Sequence, residues 1–106
     1  MMRGDLVTVA LPGAYGKPRP ALVIQSDFFE ALPSVTILPV TGEIREAFCR
    51  VLLTPSQTNG LKKPSQIMVD KAQTVPREKV GEPFGALDEG EMLTVTRTLA
   101  VFFGIG

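Results

Sequence analysis

Pro20-Ala21-Leu22-Val23-Ile24-Gln25 is a short, nearly continuous apolar run. Bounded by a proline and a polar amide, it has the pattern of a strand buried on both faces or set in the centre of a curled sheet. Upstream, Leu6 to Leu11 alternates loosely and is rich in β-formers, and Pro12-Gly13-Ala14-Tyr15-Gly16-Lys17-Pro18 then interrupts it with turn residues. Downstream, Asp27 is suited to cap a single helical turn through Phe28 to Ala31. Ser34 to Val40 reads as a third strand ending at Thr41-Gly42, and Phe48 to Leu53 as a fourth.

Farther along, Pro55 to Pro64 is too rich in turn residues for regular structure. Gln66 to Val69 and Ala72 to Val75 read as short strands, and Glu82 to Leu87 as an edge strand with a bulge at Gly85. The period then changes. Asp88 has the position of an N-cap and Glu91 of its capping-box partner, while Met92, Val95, Leu99 and Phe102 recur at helical spacing. Gly104 and Gly106 end that helix, and Phe102-Phe103 read first as core and second as an interface. Many short strands at this spacing predict a mainly β fold, a small bent sheet or partly closed barrel, followed by one C-terminal helix.

A chain of 106 residues suits a single domain spanning 1–106 and leaves no room for a second lobe with a cleft between the two. Any function then belongs on a surface groove or at a subunit interface. Hydrophobic residues make up 44% and charges are dispersed, so the chain is expected to fold. Eleven basic residues balance 11 acidic ones, which argues against clamping duplex DNA through a broad cationic face. A short single strand needs only a local basic strip. Cys49 is the only cysteine; it permits no internal disulfide or multi-thiolate metal site and reads as a small, half-buried apolar residue. Histidine is absent, which removes the commonest proton shuttle and metal ligand. Neither a metal nor a cofactor is expected. The start Met1-Met2-Arg3-Gly4-Asp5 turns polar at once, and no apolar run approaches the roughly 18 residues of a spanning helix. No membrane association is expected, and the cytoplasm is the expected compartment.

The strongest candidate for chemistry is Tyr15-Gly16-Lys17-Pro18-Arg19-Pro20, two cations at the mouth of a buried strand. Prolines on both sides restrict the backbone around Arg19 and give its guanidinium a defined exit angle. A planar fork of donors in a rigid setting suits phosphate or carboxylate, although a surface arginine beside a turn also fits. Thr41 ends a strand and precedes Gly42, which leaves its hydroxyl room to meet a ligand. Asp70 follows an apolar strand and either accepts a proton, hydrogen-bonds a base edge or simply starts the turn. Arg45, Arg50, Lys62, Lys63, Lys71 and Arg77 are scattered in sequence and read mostly as solvated face.

Several blocks resemble the MazF/PemK toxins: Arg3-Gly4-Asp5-Leu6-Val7, Lys17-Pro18-Arg19-Pro20-Ala21-Leu22-Val23-Ile24 and Ile37-Leu38-Pro39-Val40-Thr41. Gly60-Leu61-Lys62-Lys63-Pro64-Ser65, Val69-Asp70-Lys71-Ala72-Gln73-Thr74-Val75 and Leu99-Ala100-Val101-Phe102-Phe103-Gly104 continue the likeness in the same order. The resemblance implies an SH3-like barrel with additional short strands and a C-terminal helix, assembled as a homodimer with RNA across the interface. It implies a sequence-specific, metal-independent endoribonuclease of a type II toxin-antitoxin system, acting on single-stranded RNA and restrained by a cognate antitoxin. By resemblance, Arg19 takes the catalytic arginine's place, Thr41 that of the catalytic hydroxyl residue and Asp70 that of an acidic residue. Some members carry an arginine two positions before that acid; Met68 stands there in this chain, so more of the work falls on Arg19. Tyr15, Lys17, Pro18, Lys71 and Gln73 are the expected RNA contacts, Tyr15 by stacking on a base or else packing in its own loop. Lys71 stands where many relatives have glutamine.

An RNA cut without a metal can use the substrate's own 2′-hydroxyl as nucleophile, leaving a cyclic phosphate and a free 5′-hydroxyl. The protein then supplies orientation and charge stabilisation. An arginine is a poor general base because it stays protonated, so Asp70 or water is the expected proton acceptor. Two rivals remain. One is a gyrase-binding poison of the related CcdB type, to which Phe102-Phe103-Gly104-Ile105 bears a loose likeness; Arg19 and Thr41 are residues it does not need. The other is a peptide-binding SH3-like module, weakened by the absence of tryptophan and the single tyrosine.

Overall fold

A computed structural model describes residues 1–11 and 17–105. The expected base-stacking residue Tyr15 and the expected helix stop at Gly106 lie outside the described residues. Among the described residues seven strands precede one α-helix: β1 (Asp5–Ala10), β2 (Pro18–Val23), β3 (Ser34–Thr41), β4 (Arg50–Leu53), β5 (Ser65–Met68), β6 (Gln73–Pro76), β7 (Gly85–Ala86) and α1 (Glu89–Phe102). They form a curled, wholly antiparallel sheet in the order β4-β5-β3-β2-β1-β7, with β6 also on β3. The expected mainly β fold with a C-terminal helix is the one found.

The run at Pro20–Gln25 is covered on both faces, as its composition predicts. Leu22 pairs with Leu6 on one side and Leu38 on the other, and all three are buried in one cluster with Leu53, Ile67, Val69 and Val95. Ala21 and Val23 point the opposite way, into a second cluster with Val7, Val9, Val35, Ile37 and Val75. Alternation along a strand sends successive side chains to opposite faces, so one strand with no polar residue in its centre feeds both cores. β2 starts earlier than the apolar run, at Pro18. From Pro18 to Pro20 it pairs with β1 alone, and such an edge is where proline's missing N–H is tolerated.

β3 carries the curl. Its first part, Ser34 to Ile37, pairs with β6, whereas Val40 and Thr41 pair with β5. A 3₁₀ turn at Val69–Lys71 joins those two partners. One strand thus changes neighbours along a single edge, which bends the sheet on itself.

Several local expectations need correction. The turn after β2 is a 3₁₀ turn at Asp27–Phe29 capped by Ser26, whose hydroxyl accepts from the Phe28 N–H at 3.2 Å. Asp27 is not the cap because its carboxylate accepts from the Arg3 N–H at 2.7 Å. β4 begins only at Arg50, Val69 belongs to the turn after β5, and β6 starts at Gln73. Gly85 does not form a bulge; it pairs regularly with Leu6 in a two-residue strand. Its lack of a side chain serves close approach instead, since a Cβ there would stand 2.1 Å from the Asn59 carbonyl oxygen. Asn59 is fully buried and organises the Pro55 to Pro64 stretch without regular structure. It donates to the Thr54 carbonyl at 2.8 Å and accepts from the Ser56 and Leu61 N–H groups at 2.9 and 3.0 Å.

The helix starts as expected. Asp88 accepts from the Glu91 N–H at 2.7 Å while the Glu91 carboxylate accepts from the Asp88 N–H at 3.0 Å. Val95 is fully buried, with Met92 and Leu99 packed against the same core. At its end Gly104 adopts φ +71°, and the Ile105 N–H reaches the Ala100 carbonyl at 2.8 Å, the Schellman arrangement. Phe102 and Phe103 are not core: they are 42% and 55% exposed and stack edge to face, with ring centroids 5.3 Å apart. Cys49 is half-buried against the first core cluster, as expected.

Gly85→Ala is expected to lower stability by about 1–3 kcal/mol through overpacking, and Asp88→Ala by about 1 kcal/mol through loss of the cap. Urea denaturation measures both, and an undiminished midpoint for Gly85→Ala would remove the steric account of that position.

Candidate functional site

The register of β2 on β3 sets Ala21 opposite Pro39. Continued two residues along each strand, the same register brings Arg19 level with Thr41, on one face. The ladder between the two strands stops at Ala21 and Pro39 while β3 goes on along β5 on its other edge, and the strand ends leave an open groove of about 590 Å³, lined by both Arg19 and Thr41. Its floor is apolar, built from Leu11, Pro20, Pro39, Val40, Leu61 and Met68, and its rim carries Arg19, Glu43, Lys62 and Lys63. In a chain of zero formal net charge, three cations against one carboxylate make this a local basic strip.

Arg19 is exposed and forms no ion pair among the described residues. Thr41 is half-buried, and its Oγ1 accepts from the Glu43 N–H at 3.1 Å. A hydroxyl held through one lone pair keeps its proton free to donate. Gly42 follows, and the Lys63 side chain runs over it: a Cβ there would stand 2.3 Å from Lys63 Cε and 2.6 Å from Nζ. The Lys63 ammonium therefore lies over Gly42, the residue next to Thr41.

The segment after Gly42 is fixed from below. Buried Gln66 accepts from the Arg45 N–H at 2.9 Å and donates to the Arg45 carbonyl at 2.8 Å. The Arg45 guanidinium in turn pairs with Glu43 Oε1. Glu43, Lys62 and Lys63 are the groove residues that sequence reading misses. The doublet Lys62-Lys63 was visible within a block resembling the toxins, but nothing local ties it to Arg19, more than 40 residues away.

Other expected site residues stand apart from this pair. Asp70 is absent from the groove lining; it sits in the 3₁₀ turn with its carboxylate 3.8 Å from Arg50 Nε. Arg50 itself, read as solvated face, has a side chain only 13% exposed. Lys71 follows Asp70 and is exposed, as are Lys17 and Pro18 beside Arg19. Gln73 lines a separate cavity of about 370 Å³ that shares Leu11 with the groove. Among the described residues no three His, Cys, Asp or Glu side chains converge to hold a metal, and no helix is long and apolar enough to cross a membrane.

Comparison with known proteins agrees with this architecture. Residues 2–103 match the family described as "PemK-like, MazF-like toxin of type II toxin-antitoxin system". The chain is 45% identical to "Probable endoribonuclease MazF" of Mycolicibacterium smegmatis, over 99% of this chain and 98% of that protein. Among solved structures it superposes on "Mycobacterium tuberculosis toxin MazF-mt6" with a TM-score of 0.84 at 24% identity, covering 96% of this chain and 98% of that one. A second, "Endoribonuclease in complex with its cognate antitoxin from Mycobacterial species", gives a TM-score of 0.85 at 19% identity over 100% and 97% of the two chains.

Gln66→Leu removes both hydrogen bonds to Arg45 and is expected to cost on the order of 1 kcal/mol. It should also speed amide hydrogen exchange at Arg45; unchanged exchange would mean that other contacts hold this segment.

Proposed function

The chain belongs to the PemK-like, MazF-like family of toxins of type II toxin-antitoxin systems, and from that premise we propose that it is an endoribonuclease cutting single-stranded RNA in the Arg19–Thr41 groove. The observation that carries this reading is that a guanidinium and a hydroxyl line one basic groove with an apolar floor. A phosphodiester seated there meets donors only where its charge lies, and the neighbouring bases meet apolar surface.

In the proposed reaction the 2′-oxygen attacks the adjacent phosphorus as the bond from phosphorus to O5′ breaks. Charge grows on the non-bridging oxygens. The Arg19 fork can donate to two of them at once, and the Thr41 hydroxyl can donate a further hydrogen bond. Lys62 and Lys63 hold the flanking backbone phosphates. The products are a 2′,3′-cyclic phosphate and a free 5′-hydroxyl, and since the nucleophile belongs to the substrate, the route asks for no metal. Single strands are the target because in-line attack is inaccessible in an A-form helix. Lys17, Pro18, Asp70, Lys71 and Gln73 are proposed to contact flanking nucleotides, the lysines through phosphates and Asp70 through a base edge.

A homodimer is the proposed assembly, supported by the exposed rings of Phe102 and Phe103 at the end of α1. Such aromatic surface favours burial against a partner. A cognate antitoxin is the proposed regulator and the cytoplasm the proposed compartment, with residues 1–106 acting as one domain. Family membership sets aside the gyrase-poison reading, which has no use for Arg19 beside Thr41.

Arg19→Ala is expected to reduce cleavage by about 100-fold to 1000-fold, the usual effect of losing one charge-stabilising donor, while remaining folded. The assay maps the ends of a long single-stranded RNA incubated with purified protein and chelator; near wild-type cutting by the variant would refute the assignment. All-DNA strands should resist, and one ribose placed 5′ to the cut should restore cleavage.

A further inference from the structure

We infer that Glu43 is the proton acceptor for the attacking 2′-hydroxyl, an inference that rests on the ribonuclease reading of the groove. Among the described residues Glu43 is the only carboxylate lining it. The charged groups around it are Arg19 on β2, Lys62 and Lys63 in the segment before β5, and Arg45 on its own segment. Guanidinium and ammonium groups donate but do not accept. The acid expected from sequence, Asp70, lies outside the groove beside Arg50.

Glu43 is anchored through its backbone N–H, and its side chain, 68% exposed, through one ion pair. Its N–H donates to Thr41 Oγ1 at 3.1 Å, so donor hydroxyl and carboxylate belong to one turn. Arg45 occupies Oε1, and the Arg45 backbone is gripped on both sides by buried Gln66. Oε2 makes no hydrogen bond among the described residues and remains available. Gln66, Arg45, Glu43 and Thr41 thus form a chain of contacts running from the core to the groove wall. Like charge at the rim weakens the hold on phosphates, so the carboxylate is not there to grip the substrate backbone.

The proton balance is complete. The 2′-hydroxyl proton passes to Oε2 as the bond from the 2′-oxygen to phosphorus forms. The bond from phosphorus to O5′ breaks, and O5′ takes a proton from water. Glu43 then releases its proton to solvent, and nothing is oxidised or reduced.

The test separates chemistry from binding. Single-turnover cleavage is measured on a single-stranded RNA, and affinity is measured on the same strand carrying 2′-deoxyribose at the cut, which cannot react. Glu43→Gln keeps the size of the side chain but removes its charge and its basicity. Cleavage should fall by about 100-fold or more, while affinity for the inert strand stays equal or rises. Glu43→Asp should recover part of the rate. Wild-type cleavage by Glu43→Gln, a loss that only tracks weakened affinity, or a larger loss from Asp70→Asn would each overturn the assignment of Glu43. Wild-type protein that cuts no RNA would overturn the ribonuclease reading and this inference together.

Discussion

The groove exists because β3 parts from β2 before either strand's outer end. From Ser34 to Ile37 its outer edge belongs to β6, and at Val40 and Thr41 it belongs to β5. The ladder with β2 reaches only as far as Ala21 and Pro39. Had β3 stayed paired with β2 to its end, Arg19 and Thr41 would be neighbours on a closed sheet with no space between them for a ligand. The divergence keeps their register and opens the space.

That bend is sustained by burial on both sides. Leu6, Leu22 and Leu38 lie side by side across three strands in one cluster, and Val7, Ala21, Val23 and Ile37 fill the other. A one-residue slip of β2 would exchange the two sets and drive Leu22 into a space shaped for smaller side chains. The same slip would carry Arg19 off the groove wall. Stability and site geometry therefore depend on the same register, which ties the position of a solvent-exposed guanidinium to fully buried leucines.

Polar networks set the finer detail. Asn59 replaces regular structure in the stretch after β4 and brings Leu61, Lys62 and Lys63 over the groove. Gln66 does similar service for Arg45, and through it for Glu43 and Thr41. Both side chains are buried with their hydrogen-bonding groups satisfied, and the cost of leaving such groups unpaired makes these arrangements specific.

Much was legible in the residues themselves. The two-faced run around Leu22, the capping box of Asp88 and Glu91, the strand ending at Thr41 and the proline-flanked Arg19 are all local patterns, governed by side-chain alternation, dihedral restriction and neighbouring hydrogen bonds. Ser26 displaced Asp27 as a cap because Arg3, distant in sequence, claimed the aspartate. Asp70 turned to Arg50, Glu43 and the Lys62-Lys63 doublet came to the groove, and Phe102 with Phe103 stayed open to solvent. Only tertiary structure decided these, because each depends on which distant backbone lies alongside, and strand register is settled by the packing of the whole core.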